Sequence, residues 1–224
     1  MARSSRRQNQ KPLTSRGPEL PAGPVDIASG TVELVADRDE PRAVTVHVNG
    51  VPSSYVHLDD PTFLAFEYMQ QMACFIDALP EGPLSVVHVG AAGCSLARYI
   101  AAARPGSRQV ALDPDPTLLE LVRGWFDLPR APELRLRAQD GREGLTSLRD
   151  SSADVIIRDA FAPDTTPRHL TTVEFLTEVA RVLRPGGLYL ANIADRAPLA
   201  LTRSEVATAL QAREHVAHRT ETRS

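Results

Sequence analysis

The segment Leu84-Ser-Val-Val-His-Val-Gly-Ala-Ala-Gly-Cys-Ser95 joins an apolar run to a turn of small residues. An apolar run of this length that ends in glycine predicts a buried strand followed by a tight turn. Residues 95–103 then show a helical pattern, so the turn leads directly into a helix, whose free N-terminal backbone amides can bind a ligand. Taken alone, such a turn is explained equally well by close packing of the strand against the helix.

The order of strand, turn and helix repeats along the rest of the chain. The predicted strands are 84–89, 109–112, 134–138, 155–158 and 188–193, and the predicted helices lie near 95–103, 116–125, 142–148 and 172–183. Runs such as Asp154-Val-Ile-Ile157 suit strands that are covered on both faces. The sequence therefore predicts an α/β, Rossmann-like fold with a mainly parallel sheet, in which ligands bind at the carboxyl ends of the strands.

A smaller unit, residues 29–80, precedes this domain. Val44, Val46 and Val48 alternate up to Asn49-Gly50, which is typical of a two-residue hairpin. The segment 61–79 carries apolar residues at helical spacing, so we expect a small antiparallel β leader followed by a helix. Residues 1–28 are predicted to be a disordered basic arm, residues 81–213 to be the nucleoside-binding domain and residues 214–224 to be a polar tail.

Carboxylates follow successive predicted strands. Asp113 ends the second strand, about 20 residues past Gly93, the spacing that places an acid over the ribose of a bound nucleotide. Asp140 follows the third strand and is placed to meet an adenine amino group. For Asp115, the position before a helix favours N-capping over ligand binding.

Five segments resemble the class I S-adenosylmethionine-dependent methyltransferase fold: Val86-Val-His-Val-Gly-Ala-Ala-Gly93, Leu112-Asp-Pro-Asp115, Gln139-Asp-Gly141, Val155-Ile-Ile-Arg-Asp-Ala160 and Val182-Leu-Arg-Pro-Gly-Gly187. The β-rich leader, the helix around Glu67 and the run Arg158-Asp-Ala-Phe-Ala-Pro-Asp164 resemble its spermidine synthase (polyamine aminopropyltransferase) branch most. The similarity covers residues 31–195. It implies an enzyme of polyamine biosynthesis that transfers an aminopropyl group from decarboxylated S-adenosylmethionine, or a close analogue, to a small-molecule amine. A cytoplasmic location is expected separately, from the low cysteine count and the lack of a long apolar run.

The resemblance also assigns roles to residues. Asp159 matches the catalytic carboxylate, which the chemistry needs because an amine must lose its proton before it attacks the carbon beside a sulfonium. Asp164 and Glu67 are the expected substrate-binding acids. The expected cofactor-binding positions are Gly90, Ala91, Gly93, Asp113, Pro114, Asp140, Gly141, Asp159 and Ala160.

The chain departs from the family pattern at its substrate acids. Gly93 stands where spermidine synthases carry an acid, and Ala162 where they carry a second aspartate. Each lost charge-assisted hydrogen bond weakens the hold on a dicationic amine by about 1.5–3 kcal/mol. Two alternatives therefore stay open: a methyltransferase that uses intact S-adenosylmethionine, and a non-catalytic family member that only binds the nucleoside.

The C-terminal region also departs from the family, since the fold normally adds a helix and two strands after the fifth strand. Residues 203–224 supply one plausible helix and a polar end, so we expect these strands to be missing and the exposed edge to be covered by the helix or by a partner chain. A reading-frame change is our hypothesis for the cause.

Composition sets further expectations. A net charge of −3 gives no electrostatic reason to expect nucleic acid as a partner. Two cysteines and the lack of a long apolar run indicate a reducing compartment and no membrane partner. The histidines show no metal-ligand spacing, so we expect no metal. A homodimer is compatible with the sequence.

Overall fold

The computed structural model describes residues 20–162 and 165–221, with the helix backbone alone for 213–221. A four-stranded antiparallel sheet forms the leader, with strands β1 (Val25–Ile27), β2 (Gly30–Ala36), β3 (Ala43–Val48) and β4 (Val51–His57) paired in that order. Asn49 and Gly50 join β3 to β4 with φ angles of 52° and 77°, the conformation that Asn-Gly adopts in short hairpins. The predicted antiparallel leader is confirmed.

The leader begins earlier than the sequence predicts. Residues 1–28 are expected to be a disordered arm, yet Val25–Ile27 pairs with β2 and buries Ile27. A strand of this length is too short to show a period-two pattern, so the neighbouring strand rather than the local sequence decides its conformation. Residues 1–19 lie outside the described residues.

One helix, α1 (Glu67–Asp77), connects the leader to the main domain. It is shorter than the predicted 61–79. The Asp60 carboxylate accepts hydrogen bonds from the backbone N–H and the hydroxyl of Thr62, which makes a local turn in place of the first helical turn.

The main domain alternates strands and helices around a parallel sheet. In chain order its elements are β5 (Ser85–Val89), α2 (Ser95–Ala103), β6 (Arg108–Asp113), α3 (Pro116–Trp125), β7 (Leu134–Ala138), α4 (Gly141–Thr146), β8 (Ala153–Arg158), a 3₁₀ turn (Arg168–Leu170), α5 (Val173–Val182), β9 (Leu183–Ala191) and α6 (Ala200–Glu221). The strand order is β7-β6-β5-β8-β9, and all four pairings are parallel. The Rossmann-like prediction is confirmed.

The strand order reverses at β5, because β6 lies on one side of it and β8 on the other. Side chains such as Val87, Val89 and Ile156 are buried, as expected for strands that helices cover on both faces. At such a reversal the connections leave in opposite directions, and a crevice opens at the carboxyl ends of the strands.

The leader sheet packs directly on the turn after β5. Val32, Val46 and Val56 of the leader share one hydrophobic core with Cys94 and Ala97 at the start of α2.

Gly93 lies at the centre of this contact. Its N–H donates to Ser54 Oγ at 3.0 Å, and an added Cβ would lie 2.8 Å from the Ser54 Cβ. The close approach of the leader sheet to this turn therefore requires glycine at position 93.

The C-terminal region is more helical than the sequence predicts. Residues 214–224 are expected to be a polar tail, yet α6 continues to Glu221, and residues 222–224 lie outside the described residues. Arg, Glu and Ala favour helix in this segment although it lacks an apolar stripe. Ala212 of α6 is buried in the same core cluster as Phe175 and Val179 of α5. Within the described part of the chain no strand follows β9, which leaves β9 at the edge of the sheet.

None of the described helices combines the length and the apolar character that a membrane span requires.

Candidate active site

A cavity of 830 Å³ lies between the carboxyl edge of the parallel sheet and the β3–β4 hairpin of the leader. Most of the positions expected to bind the cofactor line it: Gly90 and Ala91 after β5, Asp113 and Pro114 at β6, Asp140 and Gly141 after β7, and Asp159 and Ala160 after β8. The parallel topology is what collects these sequence-distant residues, because parallel strands end at the same edge.

Gly90 brings β5 against the residue that follows β8. It has a φ angle of +95°, and a Cβ at this position would lie 2.2 Å from the backbone oxygen of Asp159. Any side chain here would push Asp159 out of place.

Asp113 stands at the end of β6 and is held by backbone amides. Its carboxylate accepts hydrogen bonds from Asp115 N at 3.0 Å and Ala91 N at 3.3 Å. Burial raises the pKa of Asp113, and these amides oppose that rise. Two hydrogen bonds from backbone amides leave further lone pairs of the carboxylate free. Asp113 can therefore also accept hydrogen bonds from the two hydroxyls of a ribose.

Asp115 acts as a helix cap. One carboxylate oxygen accepts from Leu118 N at 2.9 Å in the first turn of α3, and the other accepts from the N–H and the hydroxyl of Ser29, both at 2.7 Å. Partial burial acts to raise the pKa of Asp115, but the hydrogen bonds from Leu118 and Ser29 outweigh burial and lower this pKa. The favoured capping role is the one that the structure shows.

Asp140 caps α4 and pairs with a histidine. Its Oδ1 accepts from Arg142 N at 2.8 Å, while its Oδ2 lies 2.7 Å from His169 Nε2. Partial burial acts to raise the pKa of Asp140, but the bonds from His169 and Arg142 outweigh burial and lower this pKa. The carboxylate expected to contact adenine is therefore already shared with the imidazole of His169.

Asp159 differs from these acids because side chains hold it. Tyr68 Oη donates to one carboxylate oxygen at 2.8 Å, and Asn192 Nδ2 donates to the other at 3.0 Å. Burial raises the pKa of Asp159, and the Asn192 and Tyr68 bonds oppose the rise. In return, burial and the charge of Asp159 raise the pKa of Tyr68, so the phenol stays protonated and donates.

The structure places two expected site residues outside the cavity and does not describe a third. Gly93 does not line the cavity, since it faces the leader sheet. Glu67 is exposed and does not line the cavity either, because the next residue of α1, Tyr68, occupies the side of the helix that faces Asp159. Asp164 lies outside the described residues.

Three residues of the site were not predicted from the sequence. Asn192 directly follows β9, so the rule that placed Asp113 and Asp159 at strand ends could have found it. His169 lies in the 3₁₀ turn before α5, and Tyr68 adjoins Glu67, but no sequence pattern shows what either side chain contacts.

Among the residues that the structure describes, no three His, Cys, Asp or Glu side chains form a group that could hold a metal ion.

Comparison with known proteins places the chain among transferases. A family model described as a methyltransferase domain matches residues 87–191. The crystal structure of a probable spermidine synthase from Corynebacterium glutamicum is 40% identical with a TM-score of 0.82, and the match covers 87% of this chain and 71% of that one.

Two further relatives extend this result. The polyamine aminopropyltransferase of Chromobacterium violaceum is 30% identical to this chain, and the match covers 62% of this chain. The same match covers only 53% of the length of that relative. The structure of human methyltransferase-like protein 13 in complex with SAH is 26% identical with a TM-score of 0.58, and the match covers 64% of this chain and 72% of that one.

Proposed function

We propose that this chain, which belongs to the spermidine synthase-like (polyamine aminopropyltransferase) branch of the class I S-adenosylmethionine-dependent methyltransferase fold, transfers an aminopropyl group from decarboxylated S-adenosylmethionine to an amine. The single observation that carries this proposal is the position of Asp159. Its partly buried carboxylate shares one cavity with Asp113 and Asp140. A sulfonium donor bound in this cavity would therefore lie next to Asp159, the carboxylate that would accept the proton.

The order of the strands supports a division of labour within the cavity. Asp140, Asp113 and Gly90 follow β7, β6 and β5, which are neighbours, so a nucleoside can extend along these three strand ends. Asp159 follows β8 on the other side of β5. A sulfonium near the turn after β5 would therefore lie between the nucleoside-binding acids and Asp159.

The reaction needs a base at this point. A new bond forms between the amine nitrogen and the carbon beside the sulfonium, the carbon–sulfur bond breaks, and its electron pair stays on sulfur as methylthioadenosine. The proton lost by the amine goes to Asp159. Its raised pKa brings the carboxylate closer to the range in which it accepts a proton effectively at neutral pH.

Methyl transfer from intact S-adenosylmethionine is the second candidate. The turn Gly90-Ala-Ala-Gly93 carries no acid, so it would not repel the carboxylate that the intact donor has and the decarboxylated donor lacks. The relative in complex with SAH supports this candidate as well. In this reaction Asp159 would accept the proton of the methylated amine in the same way.

One experiment separates the candidates. Calorimetry with methylthioadenosine, S-adenosylmethionine and its decarboxylated form gives the donor preference, and incubation of each donor with a panel of amines gives the product. We expect methylthioadenosine to form from the decarboxylated donor. Formation of S-adenosylhomocysteine from the intact donor would establish methyl transfer instead. Nucleoside binding without turnover on any amine would establish the non-catalytic alternative.

The setting of the reaction is part of the same proposal. We propose a small-molecule amine as the acceptor, a cytoplasmic location, a homodimer as the assembled form, and neither nucleic acid nor membrane as a partner. Light scattering of the purified full chain tests the homodimer, because a mass of one chain at micromolar concentration would contradict it.

A further inference from the structure

The side chain of Arg158 is an unusual occupant of the protein core. It is the last residue of β8, directly before Asp159, and its side chain is 0% exposed. A guanidinium keeps its charge in proteins, so burying one requires a close anionic partner. Glu205 of α6 supplies it, with Oε2 2.7 Å from Arg158 Nη2 and a side chain only 16% exposed.

The same guanidinium holds two segments that line the active-site cavity. Nη1 donates to the Leu170 carbonyl at 3.2 Å, and Nη2 donates to the Asn192 carbonyl at 3.3 Å. Leu170 is adjacent to His169, which pairs with Asp140. Asn192 holds Asp159 through its side-chain amide. Arg158 thus joins α6, the 3₁₀ turn and the end of β9 at one point.

We propose that Arg158 and Glu205 are positioning residues, whose buried ion pair fixes Asn192 and so sets the placement of the Asp159 carboxylate. The C-terminal helix α6 then belongs to the active site although Glu205 does not line the cavity. The proposal rests on the proposed function for its kinetic consequence, but the arrangement itself can be tested without turnover.

The energetics do not favour a purely stabilising role for this pair. A buried ion pair contributes little to stability compared with apolar side chains of similar volume. Moreover, Arg158 Nε is buried with no hydrogen-bond partner in the described structure, an arrangement that stability alone would not favour. Fixing two carbonyls and one carboxylate at once is what a planar, multivalent donor does and an apolar residue cannot do.

The chain offers a matched control for removing one charge of the pair. Glu178 of α5 pairs with Arg181, also at 2.7 Å, and its side chain is 25% exposed, but this pair does not line the cavity. Glu205→Gln and Glu178→Gln each remove the glutamate of an arginine–glutamate pair. Arg181 keeps Asp150 as a second anionic partner, so Glu178→Gln controls for the loss of a glutamate charge outside the cavity. The ¹H–¹⁵N signals of the Asn192 side-chain amide, identified by their loss in Asn192→Asp, report on Asp159 placement in both.

We expect Glu205→Gln to shift the Asn192 amide signals and Glu178→Gln to leave them in place. With an active wild type, Glu205→Gln should lower kcat about tenfold to a hundredfold and change the methylthioadenosine Kd by less than about threefold, because placement rather than binding is lost. Glu205→Asp, which keeps the charge, should recover part of the loss. Unmoved Asn192 signals in Glu205→Gln would overturn the proposal.

Two further variants cover the case in which Glu205→Gln does not fold. Arg158→Lys keeps the ion pair but lacks the fork that reaches both carbonyls, so the Asn192 signals should move in it too. Asn192→Ala removes the side-chain bond to Asp159 and should speed amide hydrogen exchange in residues 200–212 of α6, since the coupling between Asn192 and the ion pair is reciprocal. Unchanged exchange there would count against the proposal. Lack of turnover with every donor would instead refute the proposed function and leave the Asn192 signals decisive.

Discussion

The two sides of the cavity hold their carboxylates in different ways. On the nucleoside side, Asp113 and Asp140 accept from backbone amides, which include those of Asp115 and Arg142 two residues further on. On the reaction side, Asp159 accepts from the side chains of Tyr68 and Asn192, which lie 91 and 33 residues away in sequence. The nucleoside side is thus built largely by local backbone geometry, and the reaction side by tertiary contacts.

This difference indicates which part of the site can change. Backbone amides at a strand end stay in place whatever side chains surround them, so the nucleoside side can persist in relatives with different reactions. The environment of a carboxylate that two side chains hold changes when either side chain is substituted. We therefore expect substitutions on the reaction side to alter rate and pH dependence, and those on the nucleoside side to alter affinity.

The largest effect is expected for Asp159→Asn. The amide cannot accept the amine proton, so turnover should fall by about 10²–10⁴-fold while the methylthioadenosine Kd stays within about twofold. Product formation and calorimetry measure the two quantities. Asp150→Asn, which changes an exposed carboxylate paired with Arg181, is the control and should retain wild-type turnover. Equal turnover of Asp159→Asn and wild type would remove Asp159 as the base.

Asp113→Asn should act on binding instead. Replacing a carboxylate that accepts ribose hydroxyls loses charge-assisted hydrogen bonds, so the methylthioadenosine Kd should rise about tenfold to a hundredfold. Calorimetry measures it. If the affinity stayed unchanged while turnover fell, the assignment of Asp113 to the nucleoside side would fail.

Tyr68→Phe should change the pH dependence. Asp159 loses a hydrogen bond that lowers its pKa, so its pKa should rise further. Because the base acts when it is deprotonated, activity is lost as the pH falls through this pKa, and the acidic limb of the kcat/KM profile should move to higher pH. Tyr99→Phe is the matched control, since its hydroxyl bonds Asp77 outside the cavity. A shift in the control, or none in Tyr68→Phe, would argue against the assignment.

The smallest effect is expected for Asp115→Ala. Both carboxylate oxygens of Asp115 are already engaged by α3 and by Ser29, so the substitution should lower the free energy of unfolding by about 1 kcal/mol, the usual cost of losing an N-cap. Urea denaturation measures this loss. A large drop in nucleoside affinity with unchanged stability would show instead that Asp115 contacts the ligand.

The same division explains how much the sequence could predict. Helices α2 and α3 have the predicted bounds, because their apolar spacing is local and because the glycine turn before α2 and the Asp115-Pro116 start of α3 are local signals too. The strand-end acids Asp113 and Asp140 follow from the alternation of strands and helices. In contrast, whether Glu67 or Tyr68 faces the cavity depends on the rotation of α1 against the sheet. One residue turns a helix by about 100°, and only tertiary packing fixes that rotation.

The contact between Gly93 and Ser54 has a consequence for how this protein can vary. Ser95 and Arg98 of α2 also donate to backbone carbonyls of Tyr55 and His57, so the turn beside the nucleoside site rests on the leader sheet. A chimera that combines a leader from one relative with a turn from another would meet a clash or a gap at this point. Leader and turn must therefore be inherited as a matched pair.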